Sequence, residues 1–442
     1  MDSISTHSYQ DLDRRTLWHP YTRRSAVEAA PLPVIVRGEG VYLFDSEGRR
    51  YLDAISSWWA CNLGHQHPRL IEAIARQARE LQHSILGNLT HPRAIELAAM
   101  LVDLFPDDRR VMFASDGSCT VEAALKIALQ YWWNRGQPAK HKFVALDFAY
   151  HGDTLGAVSV GYLPHFHQAF KPVLFPVYQA PSPCCGTCAF HESPDQCLNE
   201  CFDTMRAIVR EHAHELAAVI VEPLCQCSGG MRMHPAEHIR RLAKLCADYD
   251  VLLIADEIAV GYGRTGKMFA CEHADVWPDI VCLGKGMSGG YLPISAAVVK
   301  ASIHATFGDT PEDHTLYHGH TFTGNPIAAA LAIETLRVYE DEHIVSRAAA
   351  LGATLAAELA PLAAISGVRN VRSLGAIGVV ELEDDAEGTG SRHAARVRDR
   401  LRAKGILLRP LGSVIYVMPP LVTPEPVLRE LVGAVGAAIR AV

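Results

Sequence analysis

Lys285 stands in the run CLGKGMSGG, at the end of the apolar stretch DIVCL. A lysine amine becomes a useful nucleophile only where burial or a neighbouring charge lowers its pKa. The flanking glycines would let a bulky ligand approach the backbone. Asp256 and Glu257 close the apolar run VLLIADE. An acid there could keep a pyridinium nitrogen protonated, which makes such a ring an electron sink. Gly117 and Ser118, in SDGSCT, fall between an apolar run and a helical pattern. Backbone N–H groups at a helix start, with a hydroxyl beside them, bind phosphate. The P-loop lysine and the spaced glycines of a dinucleotide fingerprint are missing from this stretch. Tyr150, His151, Gly152 and Asp153 follow another run and offer an aromatic face for a flat ring, with Asp153 to orient it. HGHTFTGNP, from His318 to Pro326, adds Thr321 as a hydroxyl donor to phosphate. Each of these also has a plain reading: a surface lysine in a turn, a structural acid, an N-cap, turn chemistry, a loop opening a helix.

The elements that would position these groups are legible around them. VMFA at 111–114, then SDGSCT, then VEAALKIALQYWW reads as strand, turn, helix. KFVALD begins at Lys142, AAVIVEP at Ala217, VLLIADE at Val251 and DIVCLGK at Asp279. Apolar runs with few interruptions suit strands covered on both faces. The pattern predicts an α/β fold, a mostly parallel sheet with crossover helices. Ligands of such sheets sit beyond the carboxyl ends of the strands, where SDGS, DE and GK fall. The chain ends differ. VYLFDSEGRRYLD, residues 41–53, is a hairpin signal. After about residue 335, Ala/Leu/Arg helices flank AIGVVELE and VIYVMPP. The expected organisation is a large domain over 67–334, with a smaller α+β domain built from 1–66 and 335–442 together.

Composition narrows the class. The chain has 442 residues, 49% of them apolar, enough for a large core. A net charge of −8 and a pI near 6.3 argue against a nucleic-acid footprint. No apolar run reaches membrane-spanning length, and MDSISTHSYQ lacks a basic-then-apolar signal pattern, so a cytosolic protein is expected. The twelve cysteines then read as reduced thiols.

In this order and at these separations, DEIAVGYGRTG (256–266), PDIVCLGKG with Lys285, and HTFTGNP resemble the class III aminotransferases of fold type I. The resemblance covers nearly the whole chain. It implies a fold type I large domain with a seven-stranded-type sheet, and pyridoxal 5'-phosphate as cofactor, carried covalently on Lys285. It implies Lys285, Asp256 and Tyr150 as catalytic residues. Gly117, Ser118, Tyr150, Asp256, Lys285, His320 and Thr321 would hold the cofactor. It further implies a homodimer, with His320 and Thr321 reaching the partner's cofactor phosphate. Two positions depart from the usual pattern: His320, where Pro or Gln is common, and Val260, where Thr is usual.

WHPYT (18–22), ISSWWACNLGHQHP (55–68), GGMRMHP and CEHA (271–274) narrow the resemblance to one branch of that family. Its members use S-adenosylmethionine as amino donor and 8-amino-7-oxononanoate as acceptor, in biotin biosynthesis. By this resemblance Tyr21, Trp58, Trp59, Tyr150, Asp153, Lys285, Gly319 and Arg409 contact substrate. A long aliphatic acceptor ending in a carboxylate needs apolar walls and a cation. Trp58 and Trp59 supply area, and Arg409, in LLRPLG, supplies charge. Aromatic faces would also attract a sulfonium. The rival readings are an ω-amine or lysine-using aminotransferase, a decarboxylase or racemase on the same fold, and a non-catalytic cofactor sensor. Cys184, Cys185, Cys188, Cys197 and Cys201 have spacings compatible with zinc. Related aminotransferases carry such stretches without a metal, and none is expected here.

Overall fold

The computed structural model describes residues 5–184, 188, 190, 199–309, 311–385 and 387–442. Cys185 and Cys197 lie outside them. Among the described residues no group of three or more His, Cys, Asp or Glu side chains is arranged to hold a metal ion.

The centre of the molecule is a seven-stranded sheet. Its order is Arg109–Ala114, Ser295–Lys300, Ile280–Leu283, Leu252–Asp256, Leu216–Val221, Lys142–Leu146, Tyr178–Ala180. Only Ser295–Lys300 runs antiparallel to its neighbours. Leu216–Val221 and Leu252–Asp256 are buried along their whole length, as their unbroken apolar composition requires of strands with helices on both faces. Tyr178–Ala180 and Ser295–Lys300 escaped the sequence reading. The first is too short to show a period, and the second, SAAVVK, has small residues where the others have large branched ones. The mostly parallel α/β architecture is as expected.

Helix Gly117–Asn134 begins where strand Arg109–Ala114 ends and lays Val121, Ala124, Leu125, Ala128 and Trp132 on the sheet. The indole N–H of Trp132 donates to the Ala217 carbonyl at 2.9 Å, fixing the helix against the strands. Asp116 caps this helix, accepting from Cys119 N at 3.1 Å. Its first turn therefore sits at the carboxyl edge of the sheet.

The two chain ends meet in one sheet. Strand Tyr42–Asp45 pairs antiparallel with Arg50–Asp53, the hairpin read from sequence, and Ile406–Leu407 pairs parallel with Arg50–Asp53. Val368–Leu374, Ile377–Leu382 and Val414–Val417 form a further antiparallel sheet. Arg264, fully buried, ties these parts to the centre. Its guanidinium donates to Pro419 O at 2.7 Å and to Asn62 Oδ1 at 2.7 Å.

One local conformation is unusual. Ser56, Ser57, Trp58 and Trp59 have φ of 49°, 45°, 73° and 73°, four consecutive L-residues in the left-handed region. Each costs roughly 1–2 kcal/mol relative to a right-handed turn, so the surroundings must over-determine it.

Candidate active site

The carboxyl ends of the parallel strands open on a cavity of about 450 Å³. Its walls include Trp59, Gly117, Ser118, Tyr150, Asp153, Glu222, Asp256, Val260 and Lys285. Residues from six separate stretches of sequence thus share one cavity, as the open-sheet rule requires.

Lys285 follows strand Ile280–Leu283 and takes a φ of 43°. Its amine lies 5.1 Å from the centroid of the Trp59 ring. Burial lowers its pKa, and the facing Asp256, Cys227 and Glu222 offset only part of that. A larger fraction of the amine is therefore neutral and nucleophilic than on a surface lysine.

The adjacent acids Asp256 and Glu257 have separate tasks. Asp256 ends its strand inside the cavity, where His151 Nδ1 meets Asp256 Oδ2 at 2.7 Å and Ile258 N donates to Oδ1 at 3.1 Å. Glu257 faces away and accepts from Ala270 N at 2.9 Å and Cys271 N at 2.8 Å, holding a turn together. Strand alternation is the reason: successive side chains point to opposite faces.

Two buried groups had no chemical role in the sequence reading. By sequence His151 belongs to turn chemistry, yet it backs Asp256, and among the described residues its Nε2 meets no hydrogen-bond partner. Glu222 accepts from Tyr150 N at 3.0 Å and Cys227 N at 2.9 Å, and burial pushes its carboxyl up to about 8. The sequence signal was available: Glu222 directly follows strand Leu216–Val221, as Asp256 closes its own.

Ser118 opens helix Gly117–Asn134. Its hydroxyl accepts from Thr154 N at 2.9 Å and lies 2.8 Å from Thr154 Oγ1. A Cβ on Gly117 would meet Ile258 Cγ2 at 2.9 Å, and one on Gly152 would meet Ser118 Oγ at 2.4 Å. These glycines keep the floor of the cavity low. A helix N-terminus with hydroxyls at one end, an aromatic wall at Tyr150, a buried carboxylate at Asp256 and a desolvated amine at Lys285 fit a flat phosphorylated pyridine aldehyde.

At the mouth, five residues from distant parts of the chain meet. Tyr21 OH donates to Asp153 Oδ1, and Tyr150 OH donates to Asp153 Oδ2 at 2.9 Å. Burial, then the bond to Asp153, pushes the Tyr21 hydroxyl up to about 12. Arg409 donates to the Tyr21 carbonyl at 2.9 Å, and its guanidinium carbon lies 4.5 Å from the Trp58 ring centroid. Trp58 is 40% exposed, whereas Trp59 is 4% exposed and donates to Tyr416 OH at 3.3 Å. The paired tryptophans therefore line different walls. His167, absent from the sequence reading, accepts from Leu163 N on Nδ1 at 3.1 Å and turns Nε2 toward Asp153 Oδ1 at 3.6 Å.

Gly319, His320 and Thr321 do not reach this cavity within the chain. They line a groove of about 910 Å³ with Ile85, Phe113 and Phe307.

This chain matches the family model described as aminotransferase class III over residues 24–439. The chain belongs to the class III aminotransferases. The family match and its named relatives make this chain a pyridoxal-phosphate-dependent transaminase, and the cavity chemistry fits that assignment. This aminotransferase is 39% identical to an adenosylmethionine-8-amino-7-oxononanoate aminotransferase of Geobacter sulfurreducens, over 95% of each chain. The enzyme of that name from Methanocaldococcus jannaschii has a crystal structure that superimposes with a TM-score of 0.92 at 38% identity, covering 99% of both chains. An ω-transaminase from Thermomicrobium roseum superimposes with a TM-score of 0.93 at 31% identity, over 100% of this chain and 99% of that one. The overlay with ω-transaminases means that backbone shape alone does not separate the two activities.

Two outcomes follow for the cavity. Lys285→Ala should abolish turnover while the protein still binds pyridoxal phosphate non-covalently. Borohydride reduction of the wild-type protein and peptide mapping should place the label on Lys285, and a label on another lysine would refute the assignment. Asp256→Ala should lower the rate by several orders of magnitude, because an unprotonated pyridine is a poor electron sink. Cofactor affinity, read by absorbance titration, falls less, since the phosphate-end contacts remain.

Proposed function

We propose that this chain transfers the amino group of S-adenosylmethionine to 8-amino-7-oxononanoate, giving 7,8-diaminononanoate for biotin synthesis. The observation that carries the reading is the mouth. Tyr21, Trp58, Asp153 and Arg409 gather around the opening to Lys285 and combine apolar faces with one acid and one cation. Both substrates carry a carboxylate, and one cation at the mouth can serve both in turn. An arginine fork grips a carboxylate with two parallel bonds. The aromatic faces of Tyr21 and Trp58 suit a sulfonium and an aliphatic chain. Relatives at 37–41% identity carry the name of this activity.

Lys285, Asp256, Tyr150, Gly117 and Ser118 would hold pyridoxal 5'-phosphate. When bound, the cofactor supplies an electron sink for the negative charge that develops on the substrate carbon. Lys285 Nζ would carry the proton between that carbon and the carbon of the cofactor that bears the amino group, as general base and then acid. Its lowered pKa suits both tasks. Asp256, braced from behind by His151, would face the ring nitrogen. Tyr150, held by Asp153 through its hydroxyl, presents its ring to the cavity. Donor and acceptor use the same groups in turn, so the kinetics are ping-pong.

The groove holding Gly319, His320 and Thr321 meets a second copy in this reading. Ile85, Leu89, Ile95, Tyr317 and Phe322 expose apolar area on the segments that border it. In a homodimer His320 and Thr321 would complete the partner's site at the phosphate, and Gly319 would meet its substrate. The division into a large domain over 67–334 and a smaller one from 1–66 with 335–442 belongs to the same reading, as does a cytoplasmic location. Among the described residues no helix is long and apolar enough to cross a membrane.

The deciding experiment is a panel of amino donors with 8-amino-7-oxononanoate as acceptor. S-adenosylmethionine should be the preferred donor. Activity with lysine and none with S-adenosylmethionine would point to the lysine-using variant, and activity only with simple ω-amines to the broader transaminases. Arg409→Ala tests the anchor. A charge-assisted bond is worth about 1.5–3 kcal/mol, so kcat/KM should fall roughly tenfold to 150-fold in both half-reactions. Arg409→Lys recovers part of the loss, and the absorbance of the resting cofactor stays unchanged. Wild-type rates and affinities in Arg409→Ala would move the carboxylate anchor elsewhere.

A further inference from the structure

The left-handed turn Ser56–Trp59 is held from one side by a single buried carboxylate. Asp53 is 1% exposed and ends strand Arg50–Asp53. Its Oδ1 accepts from Ile55 N at 3.3 Å and Ser57 N at 2.9 Å. Its Oδ2 accepts from Ser57 Oγ at 2.7 Å and is met by His65 Nε2 at 3.0 Å. All four lone-pair positions of the carboxylate are thus committed, two of them to Ser57. Burial by itself would lower the pKa of His65, but its bonds to Asp53 and Cys61 outweigh that and raise it to about 9. The imidazolium donates to Asp53 at neutral pH. Gly38 makes room for it, since a Cβ there would lie 2.7 Å from His65 Cβ. From the other side, Ser56 Oγ donates to Met418 O at 2.7 Å, and Met418 N donates to Ala54 O at 2.8 Å.

The hand of the turn decides where the indoles go. Successive side chains around a left-handed turn rotate opposite to those of a right-handed one. Trp58 is thereby delivered to the mouth beneath Arg409, and Trp59 to the cavity wall beside Lys285. A right-handed turn of the same residues would send both elsewhere. Nothing in the run SSWW favours the left hand, because none of the four residues is glycine or asparagine.

We propose that Asp53, braced by His65, is a positioning residue that imposes the left-handed turn on Ser57 and so places Trp58 at the substrate mouth and Trp59 beside the lysine. The proposal rests on the reading of that mouth as the site where both substrates bind. Asp53 touches no reacting atom. Its effect runs through the backbone of Ser57.

The experiment is a rescue. Asn at position 53 keeps one oxygen for the backbone N–H groups but turns an amide donor toward the His65 donor. Asp53→Asn should therefore lower kcat/KM for donor and acceptor by about tenfold to a hundredfold, mostly through KM. The yield of cofactor trapped on Lys285 by borohydride should not change. Adding Ser57→Gly should restore most of the loss, because glycine takes a positive φ without a Cβ penalty. A spectroscopic arm stands independently of substrate identity. With 5-fluorotryptophan at the six tryptophans, the Trp58 and Trp59 fluorine resonances should move in Asp53→Asn and return in the double variant, while the other four stay. If the wild-type protein uses neither substrate, the functional reading fails, and the fluorine spectra still test the turn. Unmoved Trp58 and Trp59 resonances in Asp53→Asn would overturn the proposal. So would a kinetic or spectral defect that Ser57→Gly leaves in place, since that marks Asp53 as general core support. Should Asp53→Asn fail to fold, Ser57→Ala removes only the hydroxyl bond. A smaller shift of the same two resonances is then expected, and no shift refutes the proposal.

Discussion

Everything at the centre of this molecule depends on taking a lysine amine out of water beside a carboxylate that stays hydrogen-bonded. Burial lowers the pKa of Lys285 and makes its nitrogen available. The same burial would be costly for Asp256 without partners, and His151 and Ile258 N supply them. Glu222 shows how strongly this cavity desolvates a carboxyl. It lies in the same wall and accepts two backbone N–H bonds, yet burial still raises it to about 8. In Glu222 desolvation thus outweighs two backbone hydrogen bonds and favours the proton-holding form.

The parallel sheet makes that arrangement possible. Strands Leu252–Asp256 and Ile280–Leu283 are neighbours running the same way, so their carboxyl ends and the groups just beyond them fall side by side. Strand Leu216–Val221 adds Glu222 on the other flank, and helix Gly117–Asn134 brings its N-terminus to the same edge. The polar groups come from strand ends and loops, where backbone is not consumed by the ladder. The sheet beneath them is dry, with Ile220, Ile254 and Ile280 fully buried. Rigidity below and adaptable geometry above are a consequence of one topology.

The mouth is built on a different principle. Tyr21, Trp58, Asp153 and Arg409 are spread over 388 residues of chain between Tyr21 and Arg409. No single element holds them. The pairing of Ile406–Leu407 with Arg50–Asp53 brings the C-terminal segment beside the N-terminal one, and Arg409 and Trp58 follow two and five residues beyond that pairing. Strain in the turn at Ser56–Trp59 is stored where the two tryptophans are needed and is held by contacts on both flanks.

How much of this was legible beforehand follows from the range of each interaction. The strands around Val111, Phe143, Val219, Ile254 and Val281 were visible as unbroken apolar runs, because burial on both faces leaves a signal in every residue. Lys285, Asp256 and Ser118 could be proposed because a strand end is itself a local sequence feature, and the family resemblance then joined them into one site. Tertiary structure decided the rest. It set Asp256 apart from Glu257, since the pleat sends adjacent acids to opposite faces. It gave His151 a task behind Asp256, 105 residues away in the chain. It sent Trp58 and Trp59 to different walls through a left-handed turn that no residue in SSWW prefers. It also kept Gly319, His320 and Thr321 out of their own chain's cavity. Local composition records which residues must be buried. Which buried groups face one another depends on contacts between distant segments, and those exist only once the chain has closed on itself.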